Sequence, residues 1–348
     1  MQDNDTPVGA PATPPDLALF QMMYGFMPSR LIYVAARLGL ADHMHAGEST
    51  SPGLARKVGA DEQALRRVMR GLVNIGILVE DEDGRFGLTP VGDFLRSDVP
   101  NSLRDLAILS GEEFYPAWGA LLDTVRSGQT AFDSAFGTGF FKHLEQHPEA
   151  GERFNNFMVA LTTDTAAAAL EAYDFSAFRR VVDVGGGYGP LMAAILKANP
   201  QAKGVLFDTE TITDGARRYL EGEGLLERCE IVAGDFFEAV PAGGDLYVLS
   251  QVLHDWDDGH CLRILKSCRE AMPADGTLLL LEAIMPERVS EPSGVVDSDL
   301  IMLAMTGGRE RTEAEYRDLL GASGFRLARI VSTQSPTFVI EAVRGEEQ

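Results

Sequence analysis

From Tyr173 onward the chain alternates short apolar runs with helix-like stretches, and this pattern limits the fold more than any other feature of the sequence. VVDV (181–184), GVLFD (204–208), EIVAGD (230–235), LYVLSQ (246–251) and TLLLLEAI (277–284) are of strand length. PLMAAILKAN, ITDGARRYLEGEG and DDGHCLRILKSCREAM fall between them. Strand–helix alternation of this kind requires a mostly parallel sheet with helices on both faces. Two further runs, RLARIVST (326–333) and TFVIEAV (337–343), are only three residues apart. A parallel crossover needs about a dozen residues or more, so these two must form an antiparallel hairpin at the sheet edge.

The first strand runs into Asp183-Val184-Gly185-Gly186-Gly187-Tyr188-Gly189. Glycines let a backbone turn sharply and approach a ligand closely. The dinucleotide fingerprint G-x-G-x-x-G does not fit: counted from Gly185 its last place holds Pro190, and counted from Gly187 it holds Met192. No G-K-[ST] follows, which excludes a P-loop. The loop suits a ligand with no pyrophosphate to cradle. Asp208 ends the second strand, where a carboxylate can accept from both ribose hydroxyls. Gly234-Asp235-Phe236-Phe237 ends the third, and an Asp followed by an aromatic can bind an adenine amino group and cover the ring. Three such features at successive strand ends point to a nucleoside, although Asp208 as a helix cap and Phe236 as core are the plain structural readings.

Residues 16–170 have another texture, helical with little strand signal. Leu31, Val34, Ala35 and Leu38 recur at helical spacing. Ser51-Pro52 opens a short helix, Asp61 caps a second, and Asp83-Gly84 lies between Ile77-Leu78-Val79 and Phe86-Leu88 as a hairpin turn. This is a winged-helix unit. Arg66, Arg67 and Arg70 would face DNA in a transcriptional regulator, but the formal charge of −22 opposes that use, because DNA affinity is largely phosphate electrostatics. Packing or dimer contacts are the alternative. The expected division is a loose tail over 1–15, a helical winged-helix domain over 16–105, a helical linker over 106–172 and a catalytic domain over 173–348. The tail has no basic or apolar segment of a signal peptide, and no apolar run is long enough to span a membrane. Cys229, Cys261 and Cys268 form no C-x-x-C pair, which fits a reducing cytoplasm and argues against a disulfide framework or a zinc site.

The stretches DVGGGYG, GDFF, LHDWDD and GGRERT carry a likeness. The chain resembles the S-adenosylmethionine-dependent O-methyltransferases of the plant caffeic-acid type and their bacterial relatives that act on aromatic polyketides and other secondary metabolites. The likeness covers almost the whole chain. It implies a Rossmann-like methyltransferase domain preceded by a helical winged-helix dimerisation domain, a homodimer, and S-adenosyl-L-methionine as cofactor. It further implies His254 as general base, flanked by Glu282 and Glu310, and a cofactor site of Gly185, Asp208, Asp235, Phe236 and Ser250. Ser250 departs from the plant members, which have Lys there. An acceptor pocket for a small aromatic molecule would draw on Phe154, Met158, Asp255, Ile301, Met302 and Met305, although methionines at helical spacing are also ordinary core. Trp256 would pack on the adenine. No metal is expected: Asp255, Asp257 and Asp258 are adjacent on a loop, and Asp257 and Asp258 read as helix caps. The reaction implied is methylation of a hydroxyl, with N-methylation, or hydroxylation, decarboxylation or a pericyclic step on the bound cofactor, as alternatives.

Overall fold

The computed structural model describes residues 14–345, which divide into two compact units between Gly111 and Glu112. Of the tail expected over 1–15, all but Pro14 and Pro15 lies outside the described residues.

The first unit opens with α1 (Pro15–Met23), α2 (Phe26–Arg37) and α3 (Leu40–His45). Gly39, at φ 64°, separates α2 from α3 in a backbone conformation that side chains disfavour. Thr50 caps α4 (Ser51–Val58) by accepting from Gly53 N at 3.2 Å, and Asp61 caps α5 (Glu62–Asn74) by accepting from Ala64 N at 2.8 Å. β1 (Leu78–Glu80) and β2 (Phe86–Leu88) pair antiparallel around Gly84, completing the winged-helix element, and α6 (Arg104–Leu109) follows. Leu40, Leu54, Met69, Leu72 and Phe86 form its core. Arg66 and Arg70 both turn to Glu80 on the wing, at 3.5 and 3.6 Å. α1 buries no residue, and Leu19, Phe20, Met22 and Met23 are each more than half exposed.

The second unit opens with α7 (Tyr115–Gly119), α8 (Leu121–Ser127), α9 (Ala131–Phe136), α10 (Phe140–Gln146) and the long α11 (Pro148–Ala172). Then β3 (Arg180–Val184), α12 (Pro190–Ala198), β4 (Lys203–Asp208), α13 (Glu210–Gly222), β5 (Cys229–Ala233), β6 (Leu246–Ser250), α14 (Asp258–Ala271) and β7 (Thr277–Ala283) alternate. α15 (Gly294–Met305), α16 (Glu313–Ala322), β8 (Phe325–Ser332) and β9 (Thr337–Arg344) complete it. The sheet order is β5-β4-β3-β6-β7-β9-β8, with β3 to β7 parallel. The expected hairpin is present, with β9 antiparallel to β7 and β8 on the edge.

Successive strand residues face opposite sides, and both sides are apolar. Val181, Leu206, Leu246 and Leu279 pack with α12 and α13 through Leu191, Met192, Ala216 and Leu220. Val182, Tyr247, Leu249 and Leu278 pack with α14 and α16 through Ile264, Leu265, Cys268 and Leu320. Strand order reverses between β3 and β6, which opens a crevice at their carboxyl ends, the usual ligand position in such sheets. The three cysteines are buried and free. No helix among the described residues is long and apolar enough to cross a membrane.

Candidate active site

A cavity of about 670 Å³ opens at that crevice, walled by the glycine loop, the ends of β4 and β6, and the α10–α11 segment. Gly185 and Gly187 have φ of 72° and 57°. A Cβ on Gly185 would also stand 3.0 Å from Val252 Cγ2 and 3.6 Å from Phe236 Cε1, so the bare backbone is what keeps this wall open. Asp208 accepts from Gly187 N at 2.8 Å and Thr209 N at 2.7 Å, tying the loop to the end of β4. Burial raises its pKa, and the two backbone donors offset part of that rise. Asp235 is exposed and accepts from Phe237 N at 2.8 Å. Phe236, Phe237, Phe141 and Trp256 form an aromatic wall, with Trp256 edge-on to Phe237 at 4.8 Å and stacked on Phe141 at 5.8 Å.

Several polar atoms on this wall are buried without a hydrogen-bond partner: both oxygens of Asp183, Ser250 Oγ and Gln251 Oε1. Burial, then the neighbouring Asp208, pushes Asp183 up to about 7. Gln251 also holds a φ of 54°, a strained value for a side-chain-bearing residue. Unpaired acceptors beside carboxylates fit a cationic, hydroxyl-rich nucleoside whose donors would satisfy them. S-adenosylmethionine has that chemistry.

Behind the wall lies the charged cluster. His254 sits on a single 3₁₀ turn, Leu253–Asp255, directly after β6. Its Nδ1 is 2.9 Å from Glu310 Oε1 and 3.9 Å from Glu282 Oε2, with all three side chains nearly inaccessible. Glu282, on β7, uses Oε1 to accept from Val252 N at 3.1 Å and Leu253 N at 2.8 Å, so it also anchors the turn. Ser298 Oγ donates to Glu310 Oε1 at 2.5 Å, and Glu310 N donates to Asp299 at 2.9 Å. Burial alone would depress the His254 pKa, but Glu282, Asp255 and Glu310 outweigh it and raise it to about 10. Burial lifts Glu282 to about 7 and Asp255 to about 6 against the pull of His254. The ligand atoms of His254, Glu282 and Glu310 lie within 4.8 Å of one another, and the 2.9 Å contact has the length of an ordinary hydrogen bond.

The segment Gly307–Arg311 packs against this turn. Arg309 N donates to His254 O at 2.8 Å. Gly308 is required there, because a Cβ would lie 2.0 Å from His254 O. Arg311 is fully buried and donates to Leu253 O at 2.9 Å and Trp256 O at 2.8 Å. In the sequence, GGRERT marks this segment only as one of the stretches that carry the family likeness.

Phe154, Met158 and Asp255 line the cavity, whereas His254 stands just behind its wall between Val252 and Asp255. Ile301, Met302 and Met305 do not line it. Met305 is buried with Phe132, Phe140 and Ala304, and Ile301 packs on the same cluster, so the α15 methionine acts there as apolar core. Trp256 belongs to the wall. Asp257 caps α14 by accepting from His260 N at 2.9 Å. Asp258 is the first residue of that helix and accepts from Arg311 at 2.8 Å.

Residues 118–326 match the O-methyltransferase domain model and residues 20–98 match the O-methyltransferase dimerisation domain. A phenazine O-methyltransferase of Lysobacter antibioticus is 45% identical over 333 residues, 96% of this chain and 97% of that protein. The phenazine-1-carboxylate N-methyltransferase of Pseudomonas aeruginosa is 39% identical, covering 94% of this chain and 97% of its own. Among solved structures, an O-methyltransferase from neocarzinostatin biosynthesis, in complex with S-adenosylmethionine and 2-hydroxy-5-methyl naphthoic acid, superposes with a TM-score of 0.84 at 32% identity, covering 93% of this chain and 98% of that one. Sheet, cavity and relatives together define a methyltransferase that uses S-adenosylmethionine. The chain belongs to the O-methyltransferase family whose bacterial members serve secondary metabolism.

Proposed function

We propose that the protein methylates a hydroxyl, phenolic in type, on a small flat aromatic or polycyclic secondary metabolite, with His254 as general base. The observation that carries this reading is the buried His254–Glu310 contact of 2.9 Å beside a cavity whose wall includes Asp255 and an aromatic row. Bound S-adenosylmethionine supplies a methyl group already activated by the positive sulfonium. What the protein adds is placement and a proton acceptor. Asp208 takes the ribose hydroxyls, Asp235 the adenine amino group, and Phe236 and Trp256 the ring faces, with Gly185 and Ser250 completing the floor. Phe154, Met158 and Asp255 hold the acceptor.

His254 donates its Nδ1 proton to Glu310, which leaves Nε2 to accept a proton from the acceptor hydroxyl. A phenol has a pKa near ~10, so a poised imidazole assists its ionisation as the oxygen attacks. The three carboxylates around His254 hold it as an imidazolium at neutral pH, raised to about 10. Before Nε2 can accept from the acceptor hydroxyl, that proton must leave to solvent; a cation bound in the cavity would favour this by lowering the His254 pKa through like-charge repulsion in a low-dielectric site. Glu282 and Glu310 then stabilise the imidazolium that forms again during transfer.

An amine acceptor is the second reading, favoured by the 39% identical N-methyltransferase, since the same base would take a proton from nitrogen. The dimerisation domain and the bare apolar face of α1 support a homodimer. Incubation with methyl-labelled S-adenosylmethionine and matched panels of phenols and aryl amines tests the proposal. Label on phenolic oxygen is expected. Label only on nitrogen would select the second reading, and no label on either panel would contradict both.

A further inference from the structure

Arg311 heads the large, fully buried side chains among the described residues, and no step of methyl transfer calls for it. An unpaired guanidinium would be costly in such a place, so its partners define its task. Nη1 donates to Leu253 O at 2.9 Å, and Nη2 donates to Trp256 O at 2.8 Å. Nε and Nη2 both reach Asp258 Oδ1, at 3.0 and 2.8 Å. The two carbonyls bracket the turn that places His254 between Glu282 and Glu310 and puts Trp256 on the cavity wall. Arg311 is itself fixed by the chain that follows β7, where Met285 N donates to Arg311 O at 2.9 Å. Three consecutive residues thus hold one turn at four points: Arg309 N holds the His254 carbonyl, Glu310 the imidazole, and Arg311 the carbonyls of Leu253 and Trp256.

We infer that Arg311 is the positioning residue for the turn carrying His254 and Trp256, a role that rests, for catalysis, on His254 being the base. The planar fork is essential to it, because a lysine ammonium cannot serve two carbonyls and a carboxylate in fixed directions. A released turn lets the imidazole drift from Glu310, and about 1 Å of drift at a reacting centre can cost about 10²-fold in rate.

The test uses full-length protein carrying Trp118→Phe, which leaves Trp256 as the sole tryptophan reporter of the turn. Arg311→Met should red-shift Trp256 emission, raise its quenching by acrylamide, and lower kcat about 10²-fold. Arg311→Lys should recover part of each change. In a His254→Ala background and at saturating cofactor, Arg311→Met should leave the residual kcat unchanged, since the positioned base is already gone and a displaced Trp256 acts on cofactor affinity alone. A wild-type kcat in a folded Arg311→Met protein, or an equal further loss on top of His254→Ala, would overturn the inference. If Arg311→Met does not fold, Asp258→Asn removes the carboxylate that orients the guanidinium and should produce smaller changes of the same kind; unchanged emission and kcat in that variant would overturn it equally. Full turnover in His254→Ala alone would remove the base and leave Trp256 emission to decide on Arg311, with unchanged emission counting against it.

Discussion

Glu310 Oε1 lies 2.9 Å from His254 Nδ1 and also receives the Ser298 hydroxyl at 2.5 Å, so a single carboxylate oxygen both orients the imidazole and is itself oriented. Glu310→Gln keeps an acceptor of the same shape and removes the charge. Turnover should fall by roughly 10²-fold, the lower range for acid–base assistance. The His254 pKa should fall as well, because one of the carboxylates that raise it is gone. Histidine NMR titration of the unliganded protein reads this directly, and an unchanged or higher pKa would contradict it.

Asp208 has two duties, receiving Gly187 N and Thr209 N and, as proposed, the ribose hydroxyls. Asp208→Ala should weaken cofactor binding by about 1.5–3 kcal/mol, the range for hydrogen bonds to a charged group. Calorimetry that finds the wild-type affinity would contradict the ribose assignment.

Asp183 sets a pH dependence whose sign follows from its burial. Its pKa is raised from 3.8 to about 7 in the folded protein. Between those values the folded state holds more protons than the unfolded one, so this group's contribution to stability declines as pH rises through that window. Asp183→Asn should flatten the loss of thermal stability between about pH 4 and pH 7, an effect on the order of a few kcal/mol by the usual conversion. Parallel melting curves with an unchanged slope would show that the carboxyl is already ionised when folded.

α1 presents Leu19, Phe20, Met22 and Met23 to solvent in the single chain, at 61%, 55%, 75% and 67% exposure. A contiguous apolar face of this kind marks an interaction surface. Wild-type protein should scatter light as a dimer, and Met22→Glu with Met23→Glu should give monomer or aggregate. A dimer that survives both substitutions would move the interface elsewhere.

The sequence is most informative where backbone geometry admits few residue types. The glycine loop, Asp208 and Asp235 stand at strand ends, and strand ends can be counted from apolar runs. The hairpin of β8 and β9 follows from a three-residue gap that permits nothing else. Arg311 is hidden because a buried arginine looks, in one dimension, like any charged surface residue; only its carbonyl partners on a turn more than fifty positions earlier reveal it. Gly308 is hidden for the same reason, since its necessity comes from His254 O at 2.0 Å from its missing Cβ. Ile301 and Met305 show the opposite difficulty. Apolar residues at helical spacing serve a ligand pocket or a core equally well, and here the aromatic cluster around Phe132 and Phe140 takes them.

The most direct test of the central claim is a single turnover on a responsive phenol, with methyl-labelled S-adenosylmethionine, comparing the wild type with His254→Gln at saturating cofactor. If His254 takes the phenolic proton, the variant should transfer methyl roughly 10²–10⁴-fold more slowly. Its cofactor affinity by calorimetry should stay near wild type, because the cofactor contacts proposed above fall on Asp208, Asp235 and Phe236. The deficit should shrink as pH approaches the acceptor's own pKa, where the phenolate forms without help. Transfer at the wild-type rate at neutral pH, with label on the phenolic oxygen, would show that the reaction needs no base at this position.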